Sequence, residues 1–213
     1  MISDDRMTVF INSLDAGLPQ ELERLEQKAK QDYVPIIRKD MQALMKFLMV
    51  SQRPMKILEV GCAIGFSALL MNAYAPKGCH ITTIEKFEKR IEEAKKNFAD
   101  FQKEEEITLL CGDAEKILQG LDGEFDFIFM DAAKGQYINW LPDCVRLLRQ
   151  GGMLVSDNVL QDGDIIESRF AVTRRNRTIH SRMREYLYEL KHRPDLETVI
   201  LTIGDGAALS VKK

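Results

Sequence analysis

Five short apolar runs, "MKILEV" (55–60), "CHITTIE" (79–85), "EITLLC" (106–111), "FDFIFMD" (125–131) and "GMLVSD" (152–157), are separated by amphipathic stretches of helical period. Strands alternating with helices are joined by right-handed crossovers, so the pattern predicts a mainly parallel sheet. The helices between them are read at "FSALLMNAYA", "FEKRIEEAKKNFADFQ" and "YINWLPDCVRLLRQ", with Pro142 in a first turn or at a kink. Ahead of the sheet, "LPQELERLEQKAKQDY" and "IIRKDMQALMKFLMVS" predict two helices with Pro19 and Pro35 near their starts. The end, "LETVILTIGDGAALSVKK", reads as two strands around Gly204-Asp205-Gly206, an antiparallel hairpin whose turn is purely structural. The expectation is one α/β domain over residues 1–213: a helical segment, 1–53, and a core, 54–213, with a seven-stranded, mostly parallel sheet.

With 45% hydrophobic and 30% charged residues the chain has the composition of a globular protein, neither disordered nor fibrous. A net charge of −3 excludes a general polycation that seeks nucleic acid with its whole surface. Cys62, Cys79, Cys111 and Cys144 are widely spaced and form no C-x-x-C pair, which fits a reduced cytosol rather than a disulfide framework or a zinc site. The opening "MISDDRMTVF" lacks the basic start and apolar core of a secretory signal, and no apolar run is long enough to span a bilayer. A soluble cytoplasmic protein with no membrane partner is expected.

The stretch "ILEVGCAIGFSALL" leaves the first strand and enters a helix, where a glycine-rich loop brings backbone N–H groups close to a ligand. Its spacing, E-x-G-x-x-x-G-x-S, is neither the dinucleotide fingerprint nor a Walker loop. Glu59 precedes the loop, and Glu85 ends the next strand, 24 residues after Gly61, where a carboxylate accepts from a ribose diol and repels a 2′-phosphate. Asp113 and Ala114 follow the third strand at the edge where an adenine would sit. Singly, each acid reads as well as a helix cap or a turn residue. The fourth strand ends in Asp131 with Lys134 three residues on, and Asp131 is either a helix cap or a site residue at the carboxyl edge of the sheet.

These segments resemble the class I S-adenosylmethionine-dependent O-methyltransferases of the catechol and caffeoyl-CoA type. The resemblance runs from "YVPIIRKD" through "ILEVGCAIGFSALL", "TTIEKFEKR", "GDA", "MDAAKGQY" and "SDNVL" to "IGDGAALSVKK". Within that family the chain is most similar to the bacterial tRNA 5-hydroxyuridine methyltransferases, on "DAAKGQY", "DNVL" and the segment "VTRRNRTIHSRMREYLYEL". The resemblance implies a Rossmann-like methyltransferase fold and a homodimer. It implies a metal held by Asp131, Asp157 and Asn158, and adenosylmethionine contacted at Ile37, Ser67, Glu85, Asp113, Ala114 and Asp131. Glu59, Gly61, Gly65 and Phe66 carry over as loop positions, and Lys134 as the lysine beside the reacting hydroxyl, with Asp131 as its catalytic neighbour.

Two carboxylates and an amide oxygen make a hard site suited to Mg²⁺ or another divalent ion, although an isolated Asp-Asn pair is more often a turn. The implied reaction is methyl transfer to the hydroxyl of 5-hydroxyuridine at the wobble position of tRNA, giving 5-methoxyuridine. Small catechol-like phenols are the alternative substrates, and a nucleotide-binding module or dehydrogenase on the same fold is a third reading. The RNA reading leans on residues 168–193, where eight Lys and Arg stand against Glu185 and Glu189, a run that reads equally as a solvated helix face with a few internal ion pairs until the resemblance is added. Arg174, Arg175, Arg177 and Arg182 are the expected phosphate contacts to an anticodon loop, and Tyr137, Tyr186 and Tyr188 are stacking or packing residues.

Overall fold

The computed structural model describes residues 5–213, so the first four residues, on which part of the reading of the amino terminus rests, lie outside the described residues. The chain runs α1 (Asp5–Ser13), α2 (Gln20–Gln31), α3 (Lys39–Gln52), β1 (Lys56–Val60), α4 (Phe66–Tyr74), β2 (His80–Glu85), α5 (Glu88–Asp100) and β3 (Ile107–Cys111). It continues through α6 (Ala114–Gly120), β4 (Phe125–Met130), α7 (Tyr137–Leu147), β5 (Leu148–Ser156), α8 (Arg177–His192), β6 (Leu196–Leu201) and β7 (Ala207–Lys212). The strands form one seven-stranded sheet in the order β3-β2-β1-β4-β5-β7-β6. The first five pair in parallel and β7 runs antiparallel to both β5 and β6.

The central strands are largely apolar, Glu59 of β1 and Asp126 of β4 apart, because both of their faces are covered. Ile57, Ile81, Phe127, Phe129 and Val155 face one core, shared with Leu22 and Leu25 of α2, Met41, Met45 and Met49 of α3, and Phe98 of α5. Leu58, Val60, Ile128, Met130 and Leu154 face the other, against Leu118 of α6, Trp140 and Leu141 of α7, and Met183 and Tyr186 of α8. The amino-terminal helices α2 and α3 are thus built into the first core.

Several details depart from the sequence reading. Helices α1 and α6 are additional, and α7 ends at Leu147, so that Leu148, Arg149 and Gln150 belong to β5. Pro142 lies inside α7, in its second turn. Among the described residues no helix is long and apolar enough to cross a membrane.

At the carboxyl edge the backbone ladder continues one residue past the strands. Gly61 N donates to Ile84 O at 3.0 Å, Asp131 N to Val60 O at 3.0 Å and Asp157 N to Met130 O at 3.0 Å. Gly61 has φ +95°, and a Cβ there would lie 2.3 Å from the Asp131 carbonyl oxygen. Only glycine allows β1 and β4 to stay that close at their ends. Gly61→Ala should destabilise the fold by about 3 kcal/mol, the scale of combined overpacking and backbone strain, measured as a lower urea midpoint at unchanged m-value.

Candidate active site

The ends of β1, β2, β3 and β4 surround a cavity of about 320 Å³ lined by Gly61, Glu85, Asp113, Ala114, Asp131 and Trp140, among others. A smaller pocket, lined by Ile37, Cys62, Phe66 and Ser67, shares Gly61, Ala63 and Asp131 with it. Of the ten expected cofactor positions the structure therefore brings eight to these two pockets. Glu59 and Gly65 line neither. Glu59 is fully buried within β1, where it accepts a hydrogen bond from Thr83 Oγ1, and burial pushes its carboxyl up to about 7. Gly65 precedes α4, against the ring of Phe98.

The acids at the strand ends are already engaged. Glu85 Oε2 accepts from Ala63 N at 2.9 Å and its Oε1 accepts from Lys86 N and Phe87 N, both at 2.9 Å, so the carboxylate fixes the glycine loop from below. Asp113 caps α6 by accepting from Glu115 N at 3.1 Å while it lines the larger cavity, so the cap and the site readings hold together.

Asp131 caps no helix. Its Oδ1 accepts from Lys134 Nζ at 2.6 Å, and Lys134 also reaches the Tyr137 hydroxyl at 3.3 Å. That hydroxyl accepts from Ala132 N at 3.2 Å and lies 3.0 Å from Met130 O and 3.3 Å from Asp157 O. Tyr137 is fully buried, and burial raises its phenol well above the ordinary range. It braces the ends of β4 and β5 and is not available for stacking on a base, and the same holds for the fully buried Tyr186. Tyr188 is exposed but already stacked on His192.

Asp157 is buried, and its carboxyl is pushed up to about 7, by burial first and then by the charge of Asp131. Asn158 follows in the left-handed region, φ +57°, and its Nδ2 donates to Asp205 Oδ2 at 3.2 Å. Asp205, at the tip of the turn between β6 and β7, is raised to about 6, chiefly by burial and then by its hydrogen bond with Asp162. Sequence reasoning gave this turn a structural role only. The turn is formed as expected, but its acid stands beside Asn158, a proximity that no local signal announces.

Among the described residues no group of three or more His, Cys, Asp and Glu is assembled to hold a metal ion. The expected set has two carboxylates and one amide, and its chemistry suits an ion. Asp131 and Asp157 repel each other in a largely buried place, with Lys134 as their near cation, and a divalent cation offsets such a surplus. With its nitrogen committed to Asp205, the Asn158 amide keeps its oxygen as a donor to metal.

The basic segment is less open than its composition suggests. Arg177 bonds the carbonyls of Val172 and Phe170, both at 3.3 Å. Arg182 donates to Gly135 O at 2.9 Å and Arg184 to Ile165 O at 2.8 Å. Arg182 therefore anchors the turn that carries Lys134, where a phosphate contact had been expected. Arg174 and Arg175 stand exposed.

Proteins of known structure share this fold. A Staphylococcus aureus structure provisionally named a caffeoyl-CoA O-methyltransferase is 30% identical, with a TM-score of 0.90 over 99% of this chain and 100% of that one. An SAH-bound methyltransferase of Podospora anserina is 25% identical, with a TM-score of 0.89 over 98% of this chain and 94% of that one. A catechol O-methyltransferase of Niastella koreensis is 34% identical over 115 residues, 52% of each chain. The O-methyltransferase family profile matches residues 12–213, and with the Rossmann-like sheet and its paired pockets this shows that the chain belongs to the O-methyltransferase family.

Proposed function

We propose that this chain transfers the methyl group of S-adenosylmethionine to a hydroxyl of a small phenolic, catechol-like substrate, with a divalent cation held by Asp131, Asp157 and Asn158. The observation that carries the reading is the place of Asp131, which lines both pockets and stands beside the buried Asp157. The relatives named above, one of them a catechol O-methyltransferase and one SAH-bound, support the substrate and cofactor classes.

When bound, the cofactor supplies a methyl group on a sulfonium sulfur, and the cation supplies a Lewis acid that lowers a phenol's pKa. The rest falls to this chain. Glu85 and Asp113 face the larger cavity with oxygens suited to ribose and adenine donors, and Trp140 gives it an apolar wall. Ile37, Phe66 and Ser67 line the smaller pocket, which would take the methionine portion. Asp131 presents a carboxylate to both pockets, attracting positive charge from either side. Lys134 is held by its bonds to Asp131 and Tyr137 and would either orient the reacting oxygen as an ammonium or, once the neighbouring cations have displaced its own proton, take the phenol's.

A second reading, methylation of 5-hydroxyuridine in tRNA, is favoured by one observation, the exposed Arg174 and Arg175 beside a chain of net charge −3. Adjacent hydroxyl and carbonyl oxygens of that base would offer the ion the same chelate as a catechol. The phenol reading ranks first because the relatives named above that carry a substrate in their names carry a small one.

Mass spectrometry of methyl transfer to catechol and, separately, to tRNA containing 5-hydroxyuridine should show catechol product that EDTA removes and Mg²⁺ restores. RNA product alone, lost in the charge-reversed pair Arg174→Glu and Arg175→Glu, would reverse the ranking. Lys134→Met should lower kcat by about 10² to 10⁴, the range of a positioned general base, with a smaller change in KM. Because protonated Asp157 competes with the ion, Mn²⁺ affinity should fall as pH drops below about 7, and Asp157→Asn should bind weakly with a flatter pH dependence in titration calorimetry.

A further inference from the structure

The turn at Gly204-Asp205-Gly206 does more than close a hairpin. Its backbone holds the segment after β5: Asp205 O accepts from Leu160 N at 2.8 Å and Gln161 N at 3.2 Å, and Gly206 O accepts from Val159 N at 2.9 Å. A Cβ on Gly206 would lie 2.3 Å from Leu160 Cγ, so the two segments are in close contact there. The Asp205 carboxylate takes no part in these backbone bonds and meets Asn158, Arg38 and Asp162 instead. Oδ2 accepts from Asn158 Nδ2 at 3.2 Å, and Oδ1 pairs with Arg38 Nη1 at 2.5 Å. Arg38 also reaches Asp162 Oδ1 through Nη2 at 3.2 Å. It directly follows Ile37, which lines the smaller pocket.

Resting on the metal reading given above, we infer that Asp205 is a positioning residue for the metal set: by accepting from the Asn158 amide nitrogen it fixes the amide so that its oxygen is presented to the cation. A primary amide has two ends of similar shape and opposite polarity, and only the oxygen binds a cation. An acceptor behind the nitrogen decides which end faces forward, as outer partners do for metal ligands generally. The Arg38 bridge holds that acceptor in place and ties it to the segment that walls the smaller pocket.

The test is Mn²⁺ binding by the whole protein, followed by the EPR signal of the free ion, with SAH affinity measured alongside as a check that the cofactor pockets are intact. Asp205→Ala should weaken Mn²⁺ binding about tenfold to a hundredfold, the range seen when an outer partner is lost. The pair Arg38→Met and Asp205→Asn, which loses the charge but leaves the one remaining oxygen, no longer claimed by Arg38, to accept from Asn158, should stay within about threefold of wild type, since the orienting bond survives. If the alanine variant does not fold, Asp205→Leu, close in shape and without an acceptor, gives the same comparison. Wild-type protein with no saturable Mn²⁺ binding would remove the metal reading and this inference with it. Wild-type binding that Asp205→Ala leaves unchanged, or that the Arg38→Met and Asp205→Asn pair weakens as much as Asp205→Ala does, would keep the metal reading and overturn the positioning role.

Discussion

The site depends on the hydrogen-bond ladder at the carboxyl ends of β1, β4 and β5. Because Asp131 N still bonds Val60 O and Asp157 N still bonds Met130 O, both acids leave the sheet at the same level on adjacent strands. Parallel strands make this unavoidable, since equivalent residues of neighbouring strands come out at the same edge. The Tyr137 hydroxyl then joins the two exits from beneath, touching Met130, Ala132 and Asp157 with one oxygen. Its depth in the second core gives the bracing its rigidity.

Placing acids this way costs stability. Glu59 and Asp157 both hold a proton more tightly in the folded protein than in the unfolded chain, with carboxyls raised to about 7. The folded state binds the extra protons between the ordinary carboxylate range and about 7, so what these groups contribute to stability is present at low pH and lost as pH rises through that window. The two differ in what relieves the burial. Glu59 has Thr83 and stays beneath the glycine loop, whereas Asp157 faces Asp131, and the proposed cation would favour the charged form of both.

Much of this was legible in the sequence because it is local. Short apolar runs became strands, and Asp131, Asp157 and Asn158 could be read as strand-end residues because they directly follow such runs. The boundary at Leu147 was not legible, since "VRLLRQ" is apolar enough for either element and the switch to β5 is decided by pairing with Phe125. Charge was legible, but its use was not. Arg177 and Arg182 read as phosphate contacts and Arg184 as part of the same basic run, whereas in the fold each is occupied by backbone carbonyls that the sequence does not bring near. Nothing local links Arg38 to Asp205 either.

That last link follows from topology. β7 runs antiparallel to β5, with Ser156 opposite Ala208, so the amino end of β7 must lie beside the carboxyl end of β5. Whatever residue precedes β7 in the turn is then delivered to the neighbourhood of Asp157 and Asn158. A parallel strand in this place would have brought its carboxyl end instead, and the turn from β6 would lie at the far edge of the sheet. The reversal of one strand is therefore what sets an acid from the end of the chain behind a candidate metal ligand, and a turn that is ordinary in sequence acquires a chemical neighbour through the direction of the strand that follows it.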